Sequence, residues 1–158
     1  MNPSEKIVEQ YINHVKNWLT LPNIIYGINN ELDLLAYDPR MQRFYCIEVT
    51  MHFNFGPGRK DFSSVYQFKK GKFTNALRKH LKERFKIRNA KYVWVVWMIR
   101  PTGRDKVLND SKKYGIEIWE FKDKIKELMN AIGTSNYQDE ILRTLSLVKK
   151  SNYSKSKD

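Results

Sequence analysis

The chain has 158 residues, enough for one domain with a real core and short for two. An apolar content of 41%, with 13% of the residues aromatic, excludes a disordered polymer, and no apolar run approaches the length that crosses a bilayer. A formal net charge of +12 points towards a polyanionic partner.

Ser4 is expected to cap a first helix, because Ile7, Val8, Tyr11, Ile12, Val15, Trp18 and Leu19 recur at helical spacing; Leu21-Pro22-Asn23 ends it. NIIYGI (23–28) reads as a first strand, Asn29-Asn30 as a turn, ELDLLAY (31–37) as a second strand and FYCIEVT (44–50) as a third. HFNFGPGRKDF is a Gly/Pro-interrupted loop whose aromatic residues suit stacking on bases. Ser64 and Gln67 then have capping-box spacing at the start of a second helical region. That region places Phe73, Ala76, Leu77, Leu81 and Phe85 on one face, with Gly71 as a point of splitting or bending. KYVWVVWMI (91–99) is an unbroken apolar run, the signature of a strand covered on both sides. RPTGRDKVLNDSKKYG reads as a connection with one helical turn, IEIWEF (116–121) as a fifth strand and KDKIKELMNAI (122–132) as a helix. A last amphipathic helix runs from Tyr137 to Lys150, and the polar SNYSKSKD reads as a disordered basic tail.

The expected architecture is therefore α/β: an α-β-β-β-α-β core with a mixed central sheet, helices on both faces and an extra C-terminal helix. One domain spans residues 1–150. The N-terminal MNPSEKIVEQ has neither the basic region nor the apolar block of a signal peptide, and the single Cys46 fits a reducing compartment, so the expected location is the cytoplasm.

Charge is unevenly spread. Residues 59–91 hold twelve Lys/Arg against two acids, whereas the first 58 residues sum to −2. Such a patch is the electrostatic footprint of nucleic acid, with Arg59, Lys60, Lys69, Lys72, Arg78, Lys79 and Lys82 as the candidate phosphate contacts. A membrane partner is not expected, since the helix here lacks a large continuous apolar face.

ELDLLAYDPRMQRFYCIEVT (31–50) carries two carboxylates, Asp33 and Glu48, inside runs that should be buried. If the hairpin turns at Arg40-Met41, Tyr37 faces Phe44, Leu35 faces Cys46 and Asp33 faces Glu48 on the same side of the sheet. Like charges so placed need a cation between them, and two carboxylates plus waters is how Mg²⁺ is commonly held. The bland alternative for Glu48 is a structural salt bridge to Arg43 or to a helix lysine. Trp94, Trp97 and Trp119, on strands, read as core packing.

With Thr50 and His52 on Glu48's face, the pattern resembles the PD-(D/E)XK, restriction-endonuclease-like superfamily, which includes restriction enzymes, archaeal Holliday junction resolvases and many repair nucleases. The resemblance runs from the first helix to about residue 132, and aligns Asp33 and Glu48-Val49-Thr50 with the family motif. It implies a nuclease that hydrolyses phosphodiester bonds of DNA with Mg²⁺ or Mn²⁺ held by Asp33 and Glu48, and it offers Glu9 as the acid of the first helix. The motif lysine is Thr50 here. A basic residue from the following helix, Lys70 or its neighbours Lys69 and Lys72, takes that role, or His52 serves as base, or catalysis is lost and a nucleic-acid-binding protein remains. RNA is a second possible substrate, and resolvase-like members are often homodimers.

Overall fold

Asn2, not Ser4, opens the first helix. Its side chain accepts the Glu5 N–H at 3.0 Å while Glu5 accepts the Asn2 N–H at 2.9 Å, a reciprocal capping box. In the computed structural model, which describes residues 1–51, 64–135 and 137–155 and side chains as far as 151, α1 spans Pro3–Tyr11 and continues into a π-helical turn over Ile12–Lys16. Asn17, left-handed at φ 56°, ends the turn.

Three antiparallel strands follow: β1 (Leu19–Tyr26), β2 (Asn30–Asp38) and β3 (Arg43–Thr50). β1 starts earlier than expected and takes in Pro22. The reason is its place at the edge of the sheet, where a missing N–H forfeits no ladder bond. Next come α2 (Val65–Lys72), α3 (Asn75–Phe85), β4 (Ala90–Val96), α4 (Arg104–Tyr114), β5 (Ile116–Glu120), α5 (Phe121–Ala131) and α6 (Glu140–Lys155). β4 runs parallel to β3 and β5 parallel to β4, so the described residues form one five-stranded mixed sheet in the order β1-β2-β3-β4-β5. None of the described helices is long and apolar enough to cross a membrane.

Each sheet face carries its own core. On one side, Cys46, Trp94, Val96 and Ile116 pack against Val65 and Phe68 of α2, Leu77 and Leu81 of α3, and Val107 and Leu108 of α4. On the other, Leu34, Ala36, Ile47, Val93 and Val95 pack against Val8 and Tyr11 of α1, Leu128 of α5 and Leu142 of α6. This is the two-layered cover that the apolar run of β4 predicts.

Some elements differ from their expected form. The second helical region splits not at Gly71, which stays inside α2, but at Phe73-Thr74, where the Thr74 hydroxyl accepts the Leu77 N–H at 3.2 Å and caps α3. The connection after β4 holds a full helix, α4, closed by left-handed Gly115. α6 continues to Lys155, into the segment expected to be a disordered tail. It lies on α1 and α5. There the Lys149 ammonium donates to the Met129 and Ile132 carbonyls at 2.8 and 2.7 Å, at the end of α5.

Two features prepare the site. Phe68 of α2 is fully buried and stacks on Trp94 of β4 with centroids 3.7 Å apart, which fastens α2 over the strand beside β3. Lys72 is one helical turn further along the same face as Phe68. On β2, alternation puts Leu35 on the α2 side and Leu34 and Ala36 on the α1 side, yet Leu32 also packs on the α2 side. The strand therefore turns over at Asp33. Opposite it Asn23 is left-handed at φ 54°, and the two are unpaired in an otherwise continuous ladder.

Truncating the stacked ring should be severe: Phe68→Ala is expected to cost about 3–5 kcal/mol. Urea unfolding checks this, with Phe68→Leu expected to lose less than half as much.

Candidate active site

The β2–β3 ladder pairs Tyr37 with Phe44, Leu35 with Cys46 and Leu34 with Ile47, the register expected from the turn. The ladder ends at Leu34 and Ile47, one step short of Asp33 and Glu48. Its next backbone donor, the Val49 N–H, donates to Asp33 Oδ2 at 2.7 Å. Asp33 is thus partly buried and anchored by the strand it faces.

Glu48 lies deeper, fully buried, on the Cys46 side of β3 and beside Trp94 in the β3–β4 ladder. Lys72 at the end of α2 reaches down to it, Nζ lying 2.8 Å from Oε2. At that distance the ammonium is the charged partner of Oε2, and it also acts on the Glu48 carboxyl as a hydrogen-bond donor. The Tyr26 hydroxyl donates to the Lys72 carbonyl at 3.1 Å and so holds the helix end from which the ammonium projects.

The electrostatics follow from this burial. Loss of solvent pushes Asp33 up to about 6, with the Val49 N–H and Lys72 offsetting only part of it. Burial and then the charge of Asp33 push Glu48 up to about 8, against the pull of Lys72. Burial acts to lower Lys72, but Glu48 and Asp33 outweigh it and hold the ammonium above its ordinary value. Glu5, in the first turn of α1, adds negative potential at both carboxylates. Asp33 and Glu48 are the side chains here whose oxygens could hold a divalent ion.

Other expected site residues lie elsewhere. Glu9 engages Thr20, whose hydroxyl is 3.3 Å from Oε1, and sits 3.9 Å from Lys6. The acid of the first helix that acts on the site is Glu5, one helical turn earlier. Lys70 points to solvent; of the three lysines of α2, Lys72 takes the place at Glu48. Thr50 ends β3 opposite Val96 and is partly buried. Arg43 pairs across the hairpin with Asp38 at the far end of the strand. Lys69 is committed to structure, its ammonium donating to the Tyr114 carbonyl at 2.6 Å. Arg78, Lys79 and Lys82 are exposed on α3. His52, Arg59 and Lys60, with the loop HFNFGPGRKDF, lie outside the described residues.

Among the described residues no group of three or more His, Cys, Asp or Glu side chains is arranged to hold a metal ion. A metal here has two protein carboxylates to bind, and Mg²⁺ commonly completes its shell with waters and substrate phosphate. No protein-family model matches the chain, and no match is found among the curated proteins.

Sequence reasoning missed Glu5 and left Lys72 as one of three candidate lysines on the helix that follows, with a helix lysine also offered as the salt-bridge partner of Glu48. Two spacings carried the signal: Asn2-x-x-Glu5 is a capping box, and Phe68 and Lys72 are four apart on one helix face.

Raised carboxyl groups make a signed prediction. Folded values above the ordinary ones mean that the native state binds more protons than the unfolded chain. The stability these groups confer is full below about pH 4 and falls as pH rises through about 6 and then about 8. Glu48→Gln removes the larger share. In EDTA it should gain on wild type as pH rises from 5 to 8.5, by on the order of 2 kcal/mol at the top of the range. Thermal unfolding at a series of pH values tests it; a gap independent of pH would contradict the assignment.

Proposed function

We propose that this protein is a metal-dependent nuclease that hydrolyses the phosphodiester bonds of DNA, on a restriction-endonuclease-like core. The observation that carries the reading is the convergence of Asp33, Glu48 and Lys72 where the β2–β3 ladder ends. The element order supports it as well, a three-stranded meander followed by two parallel crossovers.

The residues present suit Mg²⁺ or Mn²⁺. Glu48 presents a buried carboxylate whose Oε2 faces Lys72, and Asp33 takes the Val49 N–H through Oδ2, so each acid has a second oxygen that could serve a cation. An ion held by these two carboxylates supplies polarisation of the phosphoryl oxygen and acidifies a water. The chain's own part is to position and to compensate charge. Lys72 is held over the site by the Phe68–Trp94 stack and by the Tyr26 hydroxyl, and its ammonium stays protonated at neutral pH. There it can stabilise negative charge that develops on a bound phosphate. It would take the part left open where the motif has Thr50. Exposed cations on α3 would hold the backbone of the substrate, without reading bases.

A second reading, a nucleic-acid-binding protein without catalysis, draws on one observation: the Lys72 ammonium already neutralises Glu48 at 2.8 Å. Incubation with plasmid and linear DNA in Mg²⁺ or Mn²⁺ separates the two. The nuclease reading expects cleavage that falls about a hundredfold or more in Asp33→Asn, Glu48→Ala and Lys72→Met. Cleavage undiminished in Glu48→Ala overturns it, and equal DNA binding by all forms with no cutting selects the second reading.

Metal binding has its own readout. Mn²⁺ at about a hundred times its dissociation constant should stabilise the wild type by about 2.7 kcal/mol. A thermal shift equal in Glu48→Ala would remove Glu48 from the metal site.

A further inference from the structure

We infer that the groove between α2, the start of α3 and α4 seats an unpaired polynucleotide strand, with Tyr66 stacking on one of its bases. The inference rests on the reading of this face as a nucleic-acid surface and adds the kind of strand it accepts.

The groove is open, with a volume of about 330 Å³, and its walls alternate rings with cations: Tyr66, Lys70, Arg78 and Tyr114 all border it. Tyr66 is 48% exposed, unusual for a large ring on a helix that otherwise buries Val65 and Phe68. Its ring lies 5.4 Å from that of Tyr114. The Lys69 ammonium on the Tyr114 carbonyl ties α2 to the end of α4 and so fixes the two walls relative to each other. Tyr66 is thus a half-exposed ring on a rigid support.

The cations continue beyond it. Arg78 borders both this groove and a second, wider one that adds Lys79, Lys82 and Arg88 against the single acid Glu83. The Arg78 guanidinium is oriented by two residues, Tyr92 and Asn75. Nε donates to the Tyr92 hydroxyl at 3.1 Å, Nη1 donates to Asn75 Oδ1 at 3.4 Å, and the group lies 5.8 Å from the Tyr92 ring centroid. A planar donor fork held in place at the junction of two cationic grooves matches a phosphate.

Rings and cations together discriminate between strands. A duplex presents phosphates, which the cations could meet, but its bases are stacked on one another and have no face to give Tyr66. An unpaired strand uses both, since every base has a π-face and stacking is tolerant of sequence.

Fluorescence anisotropy in EDTA tests this, with three labelled probes of equal length: oligothymidylate, an abasic strand and a duplex. Wild type should bind oligothymidylate about tenfold more tightly than the abasic strand. Tyr66→Ala should erase that difference, Tyr66→Trp should restore it, and duplex affinity should stay within about twofold throughout. Equal affinity of wild type for oligothymidylate and the abasic strand overturns the inference. So does a Tyr66→Ala variant that keeps the preference or weakens all three probes alike. Because no metal is present, the outcome is independent of hydrolysis. Strand preference without cleavage activity would overturn the nuclease reading alone, and cleavage without strand preference would overturn this inference alone.

Discussion

A fully buried carboxylate on a central strand is the constraint around which the rest is arranged. Glu48 can be kept there only if something cationic compensates it, and the fold supplies Lys72 from a helix that crosses the same sheet face. Helix α2 is therefore more than cover. Its stacked Phe68 and the Tyr26 hydroxyl at its last turn fix the height and direction from which the ammonium arrives. Burial of the two acids is the main reason both carboxyls are shifted upward, with the charge of Asp33 adding to the shift at Glu48 and Lys72 offsetting only part of it.

Such an arrangement is a poor stabiliser. An apolar residue at position 48 would suit a sheet covered on both faces, where Cys46, Trp94 and Val96 surround it. Strain of this kind, held in place by well-packed surroundings, is typical of sites kept for chemistry. The turn-over of β2 at Asp33 belongs to the same design. By leaving the ladder there, the strand lets the Val49 N–H donate to one Asp33 carboxylate oxygen.

The basic character of the chain is likewise organised in space. Of the cations in the middle third of the sequence, Lys69 closes α4, Lys72 serves the acid pair, and Arg78, Lys79 and Lys82 face solvent along α3. Net charge alone treats these residues as equivalent. Their partners divide them into a structural, a site and a surface role.

Much of this protein was legible in its sequence because it depends on local rules. Period-two alternation and the turn at Arg40-Met41 determined the β2–β3 register as far as Leu34 and Ile47, and the unbroken apolar run of β4 determined a sheet covered on both faces. Tertiary structure decided what no local rule specifies. Which of three lysines on α2 meets Glu48 depends on the angle at which α2 crosses the sheet, set by the Phe68–Trp94 stack. Which acid of α1 acts on the site depends on the cap at Asn2, which makes Glu5 the third residue of the helix and leaves Glu9 to Thr20. Contacts between residues far apart in the chain form only when the layers pack, so their identity belongs to the packing and not to any segment read alone.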